Sequence, residues 1–501
     1  MHRVDAPPAG IITTAATLDD VLAGYDKLHA ANRWTTFIEE GNVRMYGLTG
    51  TYRQVISKND FSVAVNLGML SHKDGSRNGQ QWYQNSNGIV MLQHDTHQEN
   101  EIAEAALAHH TRNKNEGLAL IGEAAAPLSA YVVEVNAKGG RHEWQYFDKR
   151  TFELVRSEQV YPTKRVIVTY DDFRTTRGVT WPWHYHRSDG HPQNDEDYVT
   201  TSALFSVQVA PIDLDIPRSK EDLAQFPAGG HAVKLPAQII GGRVIVRVVI
   251  DGRGYDFQLD SGASSIVVDA GLAKKLDLTM MGESVQSAGG TYEQKQALIG
   301  EMHVGDIVMK NVVVDTTSFT VQEDIHTKVV GLLGFDFIAN AGVKIDYRHS
   351  IVEAMPPYLF VPPAEGVPID AVWDDGVPRI PVQLGDAAAH FVLDTGADVA
   401  FIYQRFAQAH PETLGGNAGL DTIRGTGVGG SFALRPTQVK VLTVAGTDYH
   451  NMLMYEIINN PGFEYEDYDG LLGAQFLKDF TVYIDYKDSH IYLTPNGQPR
   501  L

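Results

Sequence analysis

The chain has 501 residues, 43% of them hydrophobic and 21% charged, which is ordinary globular usage and excludes a mainly disordered, collagen-like or coiled-coil protein. Lys and Arg total 41 against 62 Asp and Glu, a formal net charge of −21; so acidic a surface argues against nucleic acid as a partner and is repelled by anionic membrane faces. Cysteine is absent, which excludes disulfides, thiolate metal sites and cysteine nucleophiles and suits either an oxidising or a reducing compartment.

The start, Met1-His2-Arg3-Val4-Asp5, lacks the apolar core of a signal peptide. It reads as a mature form with an added Met or as a cytoplasmic chain. No stretch reaches the roughly 18 consecutive apolar residues of a spanning helix; the nearest, Gly117 to Val135, carries Glu123, Pro127 and Ser129. Thr17 and Asp20 resemble a capping box, and Val21, Leu22, Tyr25 and Leu28 then share one helical face, predicting a helix over 18–32. Strands are expected near 42–68 and 80–93, a polar helix over about 98–111, and long strands from 131 to 210. This describes one sheet wrapped around one or two helices.

Two Pro/Gly-rich stretches, Pro211 to Pro236 and Pro356 to Pro381, punctuate the rest. They predict an N-terminal β-rich domain over 1–215, a linker over 216–235, one lobe over 236–355, an inter-lobe linker over 356–376 and a second lobe over 377–501.

The two lobes repeat each other. Phe257-Gln258-Leu259-Asp260-Ser261-Gly262-Ala263 matches Phe391-Val392-Leu393-Asp394-Thr395-Gly396-Ala397. Gly289-Gly290 matches Gly429-Gly430, Gly331-Leu332-Leu333-Gly334 matches Gly470-Leu471-Leu472-Gly473, and Ile345-Asp346-Tyr347 matches Ile484-Asp485-Tyr486. Four landmarks in one order at nearly constant spacing indicate an internal duplication. Each copy is strand-rich: Val244 to Ile250 is β-branched and runs into Asp251-Gly252, a hairpin signal, and the next strand delivers Asp260 at its end. Short helices are expected over Ala270 to Leu276 and Tyr403 to His410, and closing hairpins turn near Arg348-His349 and Lys487-Asp488.

Asp-Ser/Thr-Gly occurring once is weak; twice, each after an apolar strand and before a GLLG strand, it is specific. Two equivalent Asp loops about a pseudo-twofold axis would bring two carboxylates face to face. Such a pair cannot cheaply ionise twice and holds one proton between them. One member can then take a proton from a bound water while the other donates to a carbonyl oxygen. Gly262 and Gly396 would let backbone N–H groups approach the carboxylates, Ser261 and Thr395 would bond across the dyad, and Gly289, Gly290, Gly429 and Gly430 suit the tips of closing hairpins.

On these motifs, residues 235–501 resemble the retropepsin/pepsin aspartic peptidases, as two retropepsin-like halves fused in one bacterial chain. The resemblance implies a mainly β, two-lobed β-barrel fold. It implies catalytic Asp260 and Asp394, an interlocked Ser261 and Thr395, flaps at the Gly-Gly hairpins, a substrate-backbone contact at Asp398 whose counterpart is Ser264, and Tyr292 as the candidate flap tyrosine. It implies a peptide or protein substrate, no cofactor, no metal and a monomer. Ala263 and Ala397 stand where many acid-optimum relatives carry a hydroxyl, so a mildly acidic to neutral optimum is expected.

The block over 1–215 resembles the LolA-like lipoprotein-carrier half-barrels of bacterial envelopes. That likeness rests on the opening helix, on Gly79-Gln80-Gln81-Trp82-Tyr83-Gln84-Asn85 leading to Gly88, and on the strands from Tyr131 to Val160 with their Phe147-Asp148-Lys149-Arg150-Thr151 turn. It implies a lipid-like or lipoprotein ligand and a periplasmic or exported location, with the cytoplasm as the alternative. An envelope carrier with an inert protease-like scaffold is the competing function. His184, His186 and His191, like His94, His97, His109 and His110, read as surface histidines rather than ligands, and the Trp181, Trp183, Tyr185 stripe as core.

Overall fold

The computed structural model describes residues 7–29, 34–95, 98–100, 117–136, 138–161, 164–287, 290–319, 327–416, 419, 421–458 and 468–497. Most of the helix expected over 98–111, together with His97, His109, His110 and Gly289, lies outside them. The fold is mainly β, as expected. Contacts divide the chain into two compact units, one of Met1–Ser86, Leu92–Arg218 and Gly282–Ser284, the other of Asn87–Met91, Ser219–Met281 and Val285–Leu501.

The first unit is built on a fourteen-stranded sheet, in which Thr36–Met45 pairs with both Leu48–Ser57 and Glu196–Phe205. Helix Leu18–His29 opens with the reciprocal bonds expected of Thr17 and Asp20: the Asp20 N–H donates to Thr17 Oγ1 at 3.2 Å, and the Thr17 N–H to Asp20 Oδ2 at 3.1 Å. It buries Val21, Leu22 and Tyr25 against Val133, Val135 and Phe147. The face continues to His29, not Leu28, because a 3.6-residue turn carries position 25 on to 29. Strand Leu70–Arg77 escaped the sequence reading: its buried residues are Leu70, Gly75 and Ser76, so it shows no apolar alternation. Trp181 lies among Trp34, Phe37 and Phe205, and Tyr185 stacks on Tyr198 at 4.5 Å. On the same strand, His184 pairs with Asp171 and His186 with Asp197, each at 2.9 Å.

The second unit holds both copies of the repeated motifs. Arg243–Ile250 and Arg253–Leu259 form the hairpin signalled by Asp251-Gly252, whose φ values of 51° and 70° are the left-handed pair that a two-residue turn requires. Leu259 then pairs in parallel with Leu333, and Leu393 with Leu472. This pairing sets each GLLG strand beside an Asp loop. The first glycine of each motif lies over a phenylalanine: a Cβ on Gly331 would come within 2.2 Å of the Phe257 ring, and one on Gly470 within 2.6 Å of the Phe391 ring. The last glycine lies under the loop itself, where a Cβ on Gly334 would meet the Ser265 carbonyl at 2.1 Å and one on Gly473 the Val399 carbonyl at 2.4 Å.

A six-stranded sheet joins the copies. Gly342–Asp346 runs antiparallel to Phe480–Asp485, with Ile345 opposite Val482, and each is hairpinned to its own partner strand. The segments expected as linkers carry strands: Val233–Lys234 pairs with Ile351–Met355, Pro368–Asp370 with His490–Pro495, and Val372–Asp374 with Val377–Leu384.

The second unit also takes in residues 87–91, which lie within the span expected as the N-terminal domain. Asn87 Nδ2 donates to the Val313 carbonyl at 2.8 Å and to Asp336 Oδ1 at 3.0 Å, and its Oδ1 accepts the Val313 N–H at 2.9 Å. Ile89 is buried, and the Tyr486 hydroxyl donates to the Val90 carbonyl. Asn87→Ala removes one buried and two partly buried bonds and is expected to cost roughly 2–4 kcal/mol, the price of stranding polar groups away from water. Urea unfolding of the full chain checks this; a change under about 0.5 kcal/mol would show that the segment is dispensable.

Candidate active site

Each aspartate sits where an apolar strand ends. The Asp260 N–H donates to the Leu333 carbonyl at 3.1 Å and the Asp394 N–H to the Leu472 carbonyl at 3.0 Å, tying both loops to their GLLG strands. The loops then lock into each other. Ser261 Oγ donates to the Leu393 carbonyl at 2.7 Å and accepts the Thr395 N–H at 3.0 Å. Thr395 Oγ1 donates to the Leu259 carbonyl at 2.8 Å and accepts the Ser261 N–H at 3.0 Å. Both hydroxyl residues are 0% exposed, so these four crossed bonds have no competition from water.

The grip brings the carboxyls together, and Asp260 and Asp394 share a side-chain hydrogen bond. The glycines make the approach possible. A Cβ on Gly262 would lie 2.5 Å from Asp394 Cγ, and one on Gly396 would lie 2.3 Å from Asp260 Cγ. In place of side chains, backbone donors face the carboxylates: the Gly262 N–H donates to Asp260 Oδ1 at 2.9 Å, and the Gly396 and Ala397 N–H groups to Asp394 Oδ1 at 2.7 and 3.2 Å.

The electrostatics separate the two acids. Burial, then the facing charge of Asp394, pushes Asp260 well above the usual carboxylate range. Burial raises Asp394 as well, but the Gly396 N–H and the bond from Asp260 hold it lower. Both acids are raised, so the pair holds one proton between them and ionises in two steps that belong to the pair.

The second Gly-Gly pair lies at a hairpin turn, and Gly290 of the first lies at the start of a strand. Ile423–Gly427 pairs with Gly430–Val444 around Val428-Gly429, and strand Thr291–Val304 begins just after Gly290. Gly290 lies against Gly429: a Cβ on Gly290, at φ 136°, would lie 2.2 Å from the Gly429 carbonyl. Gly430 shares this turn, while Tyr292 is half-buried on its strand.

Asp398 is engaged across the halves. Arg243 Nε donates to Asp398 Oδ1 at 2.7 Å, and a second bond from the guanidinium makes the pair bidentate. Arg243 was missed in the sequence because the second copy has Val377 at that place, so no repeat pointed to it. Gln258, bonded through Nε2 to the Gly396 carbonyl at 2.8 Å, was missed for the same reason, its counterpart being Val392. Behind the loops, Asp336 Oδ2 accepts the Ile266 N–H at 3.0 Å, and Gln475 Oε1 accepts the Ala400 N–H at 3.4 Å. These two residues follow GLLG at the same distance, so an amide replaces a carboxylate in one support. Among the described residues no group of three His, Asp or Glu side chains is placed to hold a metal ion.

Residues 246–337 and 380–476 match the family model for aspartyl proteases. Each matched segment carries one Asp loop and its GLLG strand, and together with the paired loops they support an aspartic peptidase family for the second unit. No curated protein matches the chain. Among solved structures, an aspartic proteinase from Irpex lacteus is similar at 12% identity and a TM-score of 0.35, over 53% of this chain and 98% of that one.

Proposed function

We propose that the protein is an aspartic endopeptidase that hydrolyses peptide bonds with water activated by the Asp260/Asp394 pair. The observation that carries this reading is the interlock of the two loops, which brings the two buried carboxyls together. In the first step, Asp394 takes a proton from water as its oxygen bonds to the peptide carbonyl carbon, and Asp260 gives its proton to the carbonyl oxygen. The resulting gem-diol then collapses. One hydroxyl proton returns to Asp260, the proton on Asp394 passes to the amide nitrogen, and the C–N bond breaks. No covalent enzyme intermediate forms. The test is pepstatin-sensitive cleavage of an unstructured protein by the full chain, lost in Asp260→Asn.

The pH dependence follows from the two raised acids. Activity requires one acid of the pair ionised and the other protonated, so the acid limb tracks the pair's first ionisation and the alkaline limb its second. Both limbs are displaced upward, and the expected maximum is mildly acidic to neutral. A kcat/KM profile peaking near about pH 3, as an unshifted carboxylate pair would give, would overturn this.

The proposal extends to a monomeric, periplasmic or exported protein whose first unit takes a lipid-like or lipoprotein ligand. Cell fractionation and lipid extraction of the purified chain test these parts. Co-purified lipid with no cleavage at any pH would favour the carrier function instead.

A further inference from the structure

The two copies are alike at the carboxylates and unlike five residues further on. In the first copy, Ser265 Oγ donates to Asp315 Oδ2 at 2.5 Å, and Gln296 Nε2 donates to Asp315 Oδ1 at 3.0 Å. Gln294 adds a further hydrogen bond. Strand register fixes the equivalent places in the second copy. Asp315 lies opposite Gln296 and beside Val267, as Tyr455 lies opposite Pro436 and beside Phe401. By the same spacing Ser265 corresponds to Val399, and Gln294 to Leu434. Ser, Asp, Gln and Gln in one copy therefore face Val, Tyr, Pro and Leu in the other.

The apolar set is packed: Val399, Leu434 and Tyr455 belong to one hydrophobic cluster with Phe401, Tyr403 and Leu471. The polar set is incomplete. Gln296 Oε1 is buried with no hydrogen-bond partner. Among the described residues Asp315 is held by the neutral side chains of Ser265, Gln294 and Gln296, and burial raises its carboxyl above the usual range. A buried carboxyl held by neutral donors, beside a buried amide oxygen without a hydrogen-bond partner, offers acceptors to a positively charged donor group, whose arrival would favour the ionised acid. The location suits a substrate side chain. Ser265 is in the loop that carries Asp260, the Asp315 N–H donates to the Ile266 carbonyl at 2.9 Å, and Gln294 and Gln296 lie on the strand that begins after Gly290.

We infer that Ser265, Gln294, Gln296 and Asp315 form a subsite for a lysine or arginine side chain, whereas the pseudo-twofold-related place at Val399, Leu434 and Tyr455 takes a large apolar side chain. The substrate class is then a peptide with a basic residue on one side of the scissile bond and an apolar residue at the symmetry-related position on the other. This rests on the endopeptidase reading and adds the specificity that the dyad alone does not supply. Asp315 is a specificity residue here, not a catalytic one.

The experiment compares kcat/KM of the full chain on fluorogenic peptides differing only at the basic position, occupied by Lys, norleucine or Glu. The wild type should favour Lys over norleucine by about tenfold or more, because norleucine keeps the methylene stem and leaves the acid unpaired. Asp315→Asn should bring that ratio to near one, and Asp315→Lys should favour Glu. Melting curves of both variants establish that they fold. A wild-type ratio near one, or a ratio kept in Asp315→Asn, overturns the subsite and leaves the dyad intact; no cleavage of any peptide by the wild type overturns the dyad reading itself.

Discussion

Asp260→Asn and Asp394→Asn should each reduce peptide hydrolysis by a factor on the order of 10⁴ or more, because the two acids act as a unit and removing either removes the whole proton circuit. The same substitutions should stabilise the fold near neutral pH. Both native carboxyls are raised above their unfolded values, by burial first and, for Asp260, by the charge facing it. Acids shifted in that direction contribute stability that is complete below the ordinary carboxylate range and is lost as pH rises through the native values. At neutral pH the wild type is therefore carrying a buried charge at a cost, which an uncharged amide of the same shape does not carry. Scanning calorimetry should show the wild-type Tm rising as the pH falls from 7 towards about 4, with a flatter dependence in either Asn variant. Each kcal/mol released is worth about 2–4 °C in a unit of this size. Cleavage at the wild-type rate by either variant ends the two-carboxylate mechanism. Lost activity with an unchanged pH dependence of Tm would show that the acids are not held together.

The repeated motifs made the centre of the second unit legible. Asp260, Asp394, the Ser261 and Thr395 hydroxyls and the GLLG strands were readable because each feature occurs twice at constant spacing, and a pseudo-twofold axis brings equivalent points together. What the repeat does not contain stayed hidden. Arg243, Gln258 and the Asp315 cluster each break the symmetry, so comparing the copies offered no second example. Asn87 was invisible for another reason: it lies some 170 residues before Asp260 in a polar turn, and only tertiary contact reveals that it braces Val313 and Asp336. In the first unit, apolar periodicity found the helix and most of the strands, and it failed at Leu70–Arg77, where small and polar residues occupy the inner face. The expected linkers carry short strands because two-residue segments between their Pro and Gly residues, such as Ala224-Gln225, still add to a sheet edge.

Thr395→Val should be among the most destabilising single substitutions in the second unit, costing about 2–5 kcal/mol in urea unfolding. The valine keeps the volume and loses the hydroxyl, leaving the Ser261 N–H and the Leu259 carbonyl buried and unpaired at roughly 1–3 kcal/mol each. Ser261→Ala strands the Thr395 N–H and the Leu393 carbonyl in the same way. The two costs should not add. All four bonds join the same two loops, so once one hydroxyl is gone the loops separate and the second hydroxyl has less left to hold; the double variant should cost less than the sum of the singles. Thr395→Ser retains the oxygen and should remain within about 1 kcal/mol of the wild type. Activity distinguishes this grip from ordinary core packing. Loosening it lets the carboxyls part, which lowers the pKa of Asp260 as the facing charge recedes, and the alkaline limb of the kcat/KM profile should then move to lower pH in Thr395→Val. If that limb stays in place while stability falls, the hydroxyls hold the lobes together without setting the geometry of the acids.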